Sequence, residues 1–259
     1  PVWIHPSIFL KPDGKGKMSK RDTEALRESG NPIFLTDFAE MGYIPEAVVN
    51  WAALIGWSYN DNEEEFTMAD LIEKFSIEKL NPAPAALNFS KLDHFNGVHI
   101  RKLDVADLAA RIKPFLAAEG LDVSDDEKLQ KVAEVLQVRL AKLTDAPAMG
   151  GFFFRDDIKP EPETLIGKKM DAASSLAMAK RVESLIAASP DFSMDTLNQP
   201  LRDLAVELET KVGNLFGFLR NTLTAQKVSP PVFETMEIIG RETVLKRIAH
   251  GIELLEEMQ

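Results

Sequence analysis

The chain has 259 residues, of which 45% are hydrophobic and 27% charged, and its formal net charge is −11. These proportions fit an ordinary globular protein with room for about two compact units; they exclude collagen-like repeats and extensive disorder, and no run of about 18 apolar residues could cross a membrane. The absence of cysteine excludes disulfides, thiolate catalysis and any cysteine-ligated metal, and it suits a cytoplasmic protein.

The chain starts Pro1-Val2-Trp3, without an initiator methionine or the basic and apolar regions of a signal peptide, and is expected to be part of something longer. Val2, Trp3, Ile4, Ile8, Phe9 and Leu10 predict an extended lead-in, interrupted at Pro6 and ended by the turn Pro12-Asp13-Gly14. An acidic chain holds a polyanion only where cations are gathered. Here they gather at once: Lys11, Lys15, Lys17, Lys20 and Arg21 stand against the single acid Asp13, a local charge of +4. Gly14 and Gly16 make this stretch a mobile loop, with a solvated basic turn as the plain alternative.

After Phe34 the pattern turns helical. Pro45 and Glu46 open a helix whose apolar face reads as Val48, Ala52 and Ile55, stopped by Gly56. Thr67 and Asp70 have the spacing of a cap ahead of Leu71 and Ile72. A helix is expected from Asp104 to about Glu119, kinked at Pro114 and stopped by Gly120. Ser124 with Glu127 gives a capping box ahead of the stripe Leu129, Val132, Leu136, Leu140 and Leu143. Further helices are expected over Asp171 to Ile186 and from Pro200 to Leu208, with that proline in the first turn. Ser229-Pro230-Pro231 opens another, ended by Gly240, and the last run carries Val244, Leu245, Ile248, Ile252 and Leu255. Proline-bearing seams lie at 81–88 and 156–163, the second read as the softer domain boundary. The predicted fold class is all-α, mainly helical, with a short extended lead-in.

Within the basic loop, Lys17-Met18-Ser19-Lys20-Arg21 resembles the K-M-S-K-S loop of class I aminoacyl-tRNA synthetases, in the K-x-S-K-R form of glutamyl-tRNA synthetases. The resemblance to bacterial members of that family continues through Met41-Gly42-Tyr43-Ile44-Pro45-Glu46-Ala47, Ala53-Leu54-Ile55-Gly56-Trp57-Ser58, and Lys91-Leu92-Asp93 with Asn96-Gly97. Lys211-Val212-Gly213, Leu219-Arg220 and Ser229-Pro230-Pro231-Val232-Phe233-Glu234 extend it over nearly the whole chain.

The resemblance implies a glutamate–tRNA ligase using ATP with magnesium, in which 1–30 end the catalytic domain, 31–104 contact the tRNA stem, and 105–162 and 163–259 are two helical anticodon-binding subdomains. Lys20, supported by Lys17, is the implied catalytic residue, and Lys17, Met18, Ser19, Lys20 and Arg21 the implied ATP-binding stretch. The composition suits the chemistry: a carboxylate attacks the α-phosphate and expels pyrophosphate, so mobile cations that meet the developing phosphoryl charge lower the barrier. Glycines let such a loop close and reopen.

The family's H-I-G-H motif has no counterpart here, so this segment alone is expected to bind ATP poorly and to form no glutamyl-adenylate. The implied partners are a glutamate-accepting tRNA, with ATP and glutamate bound through an upstream domain, and no membrane. No protein metal site is expected, because His5, His94, His99 and His250 are scattered and read as structural or surface residues, with His5 nearest the implied nucleotide site. Candidate tRNA-facing groups are Arg101, Lys102, the run Phe152-Phe153-Phe154-Arg155, and Lys211, Arg220, Lys227, Arg241, Lys246 and Arg247, although a phenylalanine triplet is usually core. The acidic run Asp61 to Glu65 should face away from phosphates. Two alternatives stand: a non-catalytic helical tRNA-binding or interaction module, and a glutaminyl-type relative, which would read the anticodon with β-barrels that this pattern does not show.

Overall fold

The computed structural model describes residues 3–4 and 8–259. It is mainly helical, and the described strands form one short parallel pair, β1 (Phe9–Leu10) beside β2 (Ala85–Ala86), in the register Phe9 to Ala85 and Leu10 to Ala86. Two compact units divide the chain: the first takes 1–115 and 137–146, the second 116–136 and 147–259. The expectations placed on Val2, His5 and Pro6 lie outside the described residues.

In the first unit, α1 (Lys20–Glu28), α2 (Leu35–Glu40), α3 (Pro45–Ala53) and α4 (Met68–Lys74) precede α5 (Phe89–Lys102). Pro45 opens α3 as its first residue, where its missing N–H costs nothing. The inward face of α3 is Ala47, Asn50 and Trp51, not Val48, Ala52 and Ile55; Ala52 is exposed. Apolar spacing alone missed this face because a polar residue sits in its middle: Asn50 Nδ2 donates to the Glu64 carbonyl at 2.8 Å, and its Oδ1 accepts from Phe66 N–H at 3.0 Å. Thr67 and Asp70 form the expected capping box of α4.

Helix α5 lies against α3 and carries Asn96, fully buried, in the middle of their interface. Its Oδ1 accepts from Ile44 N–H at 2.8 Å, and its Nδ2 donates to the carbonyls of Gly42 at 3.2 Å and Ala141 at 2.6 Å. One side chain thus ties two backbone segments, 42–44 and the one holding Ala141, that no regular element pairs. Gly42 is required beside it: its φ is +81°, and a Cβ there would stand 2.6 Å from Thr144 N.

Helix α6 (Val105–Ala118) holds Pro114 inside and ends before Gly120, and α7 (Asp126–Gln137) follows. The cap of α7 is Asp125 rather than Ser124, since the Asp125 carboxylate accepts from Lys128 N–H at 3.0 Å. All five leucine and valine residues of the predicted stripe are buried, but Leu140 and Leu143 lie past the helix end and belong to the first unit, whereas Leu129, Val132 and Leu136 belong to the second.

The rest of the second unit holds a short helix α8 (Ala146–Gly150), then α9 (Ala172–Ala188), α10 (Met194–Glu207), α11 (Val212–Thr224), α12 (Val232–Ile239) and α13 (Arg241–Glu257). The helix expected over Asp171 to Ile186 is α9, with Asp171 standing just before it as its cap, and Gly240 follows α12 as the sequence predicts. Helix α10, however, starts six residues before Pro200, capped by Ser193, whose hydroxyl accepts from Thr196 N–H at 3.2 Å. The proline therefore sits inside the helix, where it leaves one carbonyl without its helical partner; the buried residues Leu197, Leu201 and Leu204 around it hold the helix together. Helix α13 packs most extensively on α9 and also meets α11.

Candidate functional site

The basic loop is built as a short hairpin feeding a helix. Leu10 bridges Lys17 in antiparallel fashion, Met18 N–H donates to the Phe9 carbonyl at 3.1 Å, and Gly14 N–H to that of Lys11 at 2.8 Å. Gly14 and Gly16 adopt φ values of +72° and +84°, which a residue with a Cβ resists. Ser19 caps α1, so Lys20 and Arg21 are that helix's first two residues. Cations there oppose the positive end of the helix dipole, which makes this N-terminus a poor place for stability and a strong one for an anion.

Asp22 compensates. Its Oδ2 accepts from Ser19 N–H at 2.8 Å and from the Ser19 hydroxyl at 2.5 Å, while its Oδ1 pairs with Lys11 Nζ at 2.8 Å. These contacts, Lys11 foremost, hold the Asp22 carboxyl down at about 2. At its other end α1 is tied by Arg27, which pairs with the buried Asp37 at 3.1 Å. No residue of α1 is buried.

The sequence-predicted site residues therefore divide by role. Lys17, Lys20 and Arg21 are exposed, and no ion pair occupies them among the described residues. Met18 is half-buried. Ser19 is engaged by Asp22, with both its N–H and its hydroxyl used in the helix cap. The described residues contain no cluster of histidine, aspartate and glutamate suited to a metal. What sequence reading missed is Asp22 and its bond to Lys11; the signal was present as the capping spacing Ser19 to Asp22, hidden behind the lysines.

Elsewhere the three glutamates of the acidic run are each paired: Glu63 with Lys74, Glu64 with Lys91 at 2.6 Å, and Glu65 with Lys102 at 3.0 Å. Lys102 thus has a carboxylate partner, while Arg101 is exposed. In the second unit Phe152 and Phe153 are core, and Phe154, half-buried, lies under Lys128 with the ammonium 5.5 Å from the ring centroid. Arg241 donates to the carbonyls of Ala187 and Ser189 and stacks over Phe192, and Lys246 meets Asp157 at 3.3 Å.

Arg247 is no surface cation. It is buried and donates to the carbonyls of Leu223 at 2.5 Å, Phe152 at 2.9 Å and Arg155 at 2.6 Å. Lys211 and Lys227 remain exposed. His94 and His250 are at the surface, whereas His99 is buried, its Nε2 3.0 Å from Asn50 Oδ1.

Comparison with known proteins places these features in a family. A family model described as the anticodon binding domain matches residues 107–252, more than half of the chain, and one described as the catalytic domain of class I tRNA synthetases (E and Q) matches residues 1–94. Glutamate–tRNA ligase from Dehalococcoides mccartyi is 38% identical over 262 residues, covering 100% of this chain and 52% of that protein. The Chloroflexus aurantiacus ligase is 36% identical over 266 residues, with 100% and 51% covered. The crystal structure of a glutamate tRNA ligase from Elizabethkingia meningosepticum, in complex with its amino acid, superposes with a TM-score of 0.84 at 29% identity, over 98% of this chain and 51% of that one. The chain spans about half the length of the curated relatives it matches. With a class I catalytic-domain match over its first 94 residues, an anticodon-binding match over 107–252 and glutamate–tRNA ligase relatives along its whole length, the chain belongs to the glutamyl-tRNA synthetase family.

Proposed function

We propose that this chain is the tRNA-binding portion of an ATP-dependent glutamate–tRNA ligase, and that it contributes the cationic loop at which the triphosphate is neutralised. The observation that carries the reading is the exposed pair Lys17, on the hairpin, and Lys20, at the N-terminus of α1, which no carboxylate meets among the described residues of a chain of net charge −11. Such groups favour an arriving phosphate without first having to break an internal ion pair. When glutamate attacks the α-phosphorus, negative charge grows on the phosphoryl oxygens and on departing pyrophosphate. Lys20, supported by Lys17, stabilises that charge, and Arg21 adds to the local field. Ser19 serves by fixing where the helix starts, and the backbone around Met18 lines the approach.

ATP is the co-substrate, and magnesium would travel with its phosphates rather than in a protein-built site. By this reading 1–30 close the catalytic domain, 31–104 meet the tRNA stem, and 105–162 and 163–259 carry the anticodon, in the cytoplasm. The paired glutamates 63–65 remove one source of repulsion toward RNA, and of the candidate cations Arg101, Arg155, Lys211 and Lys227 are exposed with no ion pair among the described residues.

Lys20→Ala in the complete ligase tests the reading through glutamate-dependent ATP–pyrophosphate exchange. A loss of about 100-fold in kcat, consistent with removing one preorganised charge, supports it. Unchanged exchange refutes the catalytic role of the loop and leaves a tRNA-binding module. The 259-residue chain by itself should show no exchange.

A further inference from the structure

We propose that Asp22 is a positioning residue for the loop: it locks the hairpin to α1 so that Lys17, on the hairpin, and Lys20, on the helix, meet one phosphate chain in fixed register. This deepens the preceding reading and rests on it.

The argument starts from what holds α1 in place. Within this chain the helix has no fully buried residue, and polar ties hold its two ends. The far tie is Arg27 to Asp37, which anchors the helix's last turn. The near tie is Asp22, whose two carboxylate oxygens face different segments: one takes the N–H and hydroxyl of Ser19, the other the ammonium of Lys11. Lys11 belongs to the hairpin, because its N–H donates to the Gly16 carbonyl at 3.2 Å and its carbonyl accepts from Gly14 N–H. Lys17 is fixed to the same hairpin by its bridge to Leu10. The chain keeps Lys17 within three residues of Lys20, and the carboxylate adds the tie that fixes the hairpin bearing the first against the helix bearing the second.

The same carboxylate answers the electrostatic difficulty of the site. Lys20 and Arg21 are like charges at the positive end of the helix dipole, and the first turn would fray to separate them. An acid at the third helical position, closing a capping box, favours that turn. Lys11 in turn spends its charge on Asp22 and does not compete with Lys17 and Lys20 for the ligand. A transferring phosphoryl group is stabilised only by cations held where its charge develops, so loosening this lock should lower turnover more than ATP affinity.

The experiment uses the complete ligase and glutamate-dependent ATP–pyrophosphate exchange, with the variants Asp22→Ala, Asp22→Asn and Lys11→Met alone, and Asp22→Ala combined with Lys17→Ala. Asp22→Ala should lower kcat about 10-fold or more while KM for ATP stays within about 2-fold. Asp22→Asn keeps a cap acceptor and loses the ion pair; it should match Lys11→Met, with a smaller loss of about 3-fold. In the Lys17→Ala background, Asp22→Ala should have little further effect, since there is no longer a pair to align.

In the 259-residue chain, hydrogen exchange at the Ser19 and Met18 amides should quicken in Asp22→Ala while helices outside 9–28 keep their protection. Wild-type kcat in Asp22→Ala, or a loss that multiplies in full with Lys17→Ala, overturns the proposal. If Lys20→Ala leaves exchange intact, the catalytic reading of the loop itself fails; if Lys20→Ala abolishes exchange and the Asp22 variants do not affect it, only the positioning role falls.

Discussion

Replacing Arg247 should destabilise the second unit more than any exposed cation in the chain. Arg247 is 4% exposed, and its guanidinium donates to three main-chain carbonyls, from the end of α11, the turn holding Phe152, and Arg155. A hydrogen bond from a charged donor contributes about 1.5–3 kcal/mol, and an acceptor left buried without a partner costs a similar amount. Against that stands the cost of burying a cation with no carboxylate in contact, which lowers its pKa to about 10 yet leaves it charged at neutral pH. Arg247→Met keeps most of the volume and removes both the bonds and the charge, so the net loss should be about 3–5 kcal/mol. Arg247→Lys cannot span three acceptors and should lose about 2–3 kcal/mol.

Urea denaturation followed by circular dichroism measures this, because α9 to α13 supply much of the helical signal. The three tryptophans, Trp3, Trp51 and Trp57, all belong to the first unit and give a separate fluorescence transition. A loss below about 1 kcal/mol in Arg247→Met would show that water replaces the guanidinium at its three carbonyls and would refute the reasoning. Loss of tRNA binding by a variant that remains folded would instead return Arg247 to the RNA-facing set.

Three more outcomes follow from the same geometry. Asn96→Ala should shift the tryptophan transition by about 2–4 kcal/mol, since it strands Ile44 N–H and the carbonyls of Gly42 and Ala141; an effect within error would mean those groups repair themselves. His99 has its pKa lowered from 6.5, first by burial and then by Lys102. Its folded form binds a proton less readily than its unfolded form, so the first unit should lose stability as pH falls below 6.5, and equal urea midpoints at pH values on either side of that point would count against it. The Asp22 carboxyl should titrate near 2 by carbon NMR, not near 3.8; its ties are complete above 3.8 and lost as pH falls through 2, and a midpoint near 4 would mean Lys11 does not hold it.

Much of the molecule was legible along the chain because its signals are local. The capping residue Thr67, the glycine stops at 120 and 240, and the spacing of Val244, Ile248, Ile252 and Leu255 act within a turn or two, where backbone chemistry decides the outcome. The cationic loop was legible for the same reason, since its charge lies within eleven consecutive residues. Where a local rule had two near-equal solutions, the sequence chose wrongly: Ser124 and Asp125 could each cap α7, and Pro200 was read as a start because proline is favoured there, while buried leucines on both sides carry α10 through it.

What only tertiary structure decided are the long-range polar bonds. Asn96 reads as a neutral residue in a helix until the three backbone groups it bonds, in two segments up to 54 positions away, come together around it. Arg247 and Lys227 look alike in sequence, but one is sealed among carbonyls and the other faces water. Burial sets the value of a charge, and burial comes from packing between elements, which no periodicity within one element can specify. Lys11 and Lys20 differ in the same way: nine residues apart in one basic run, they are separated in role by the single carboxylate that the fold delivers to Lys11.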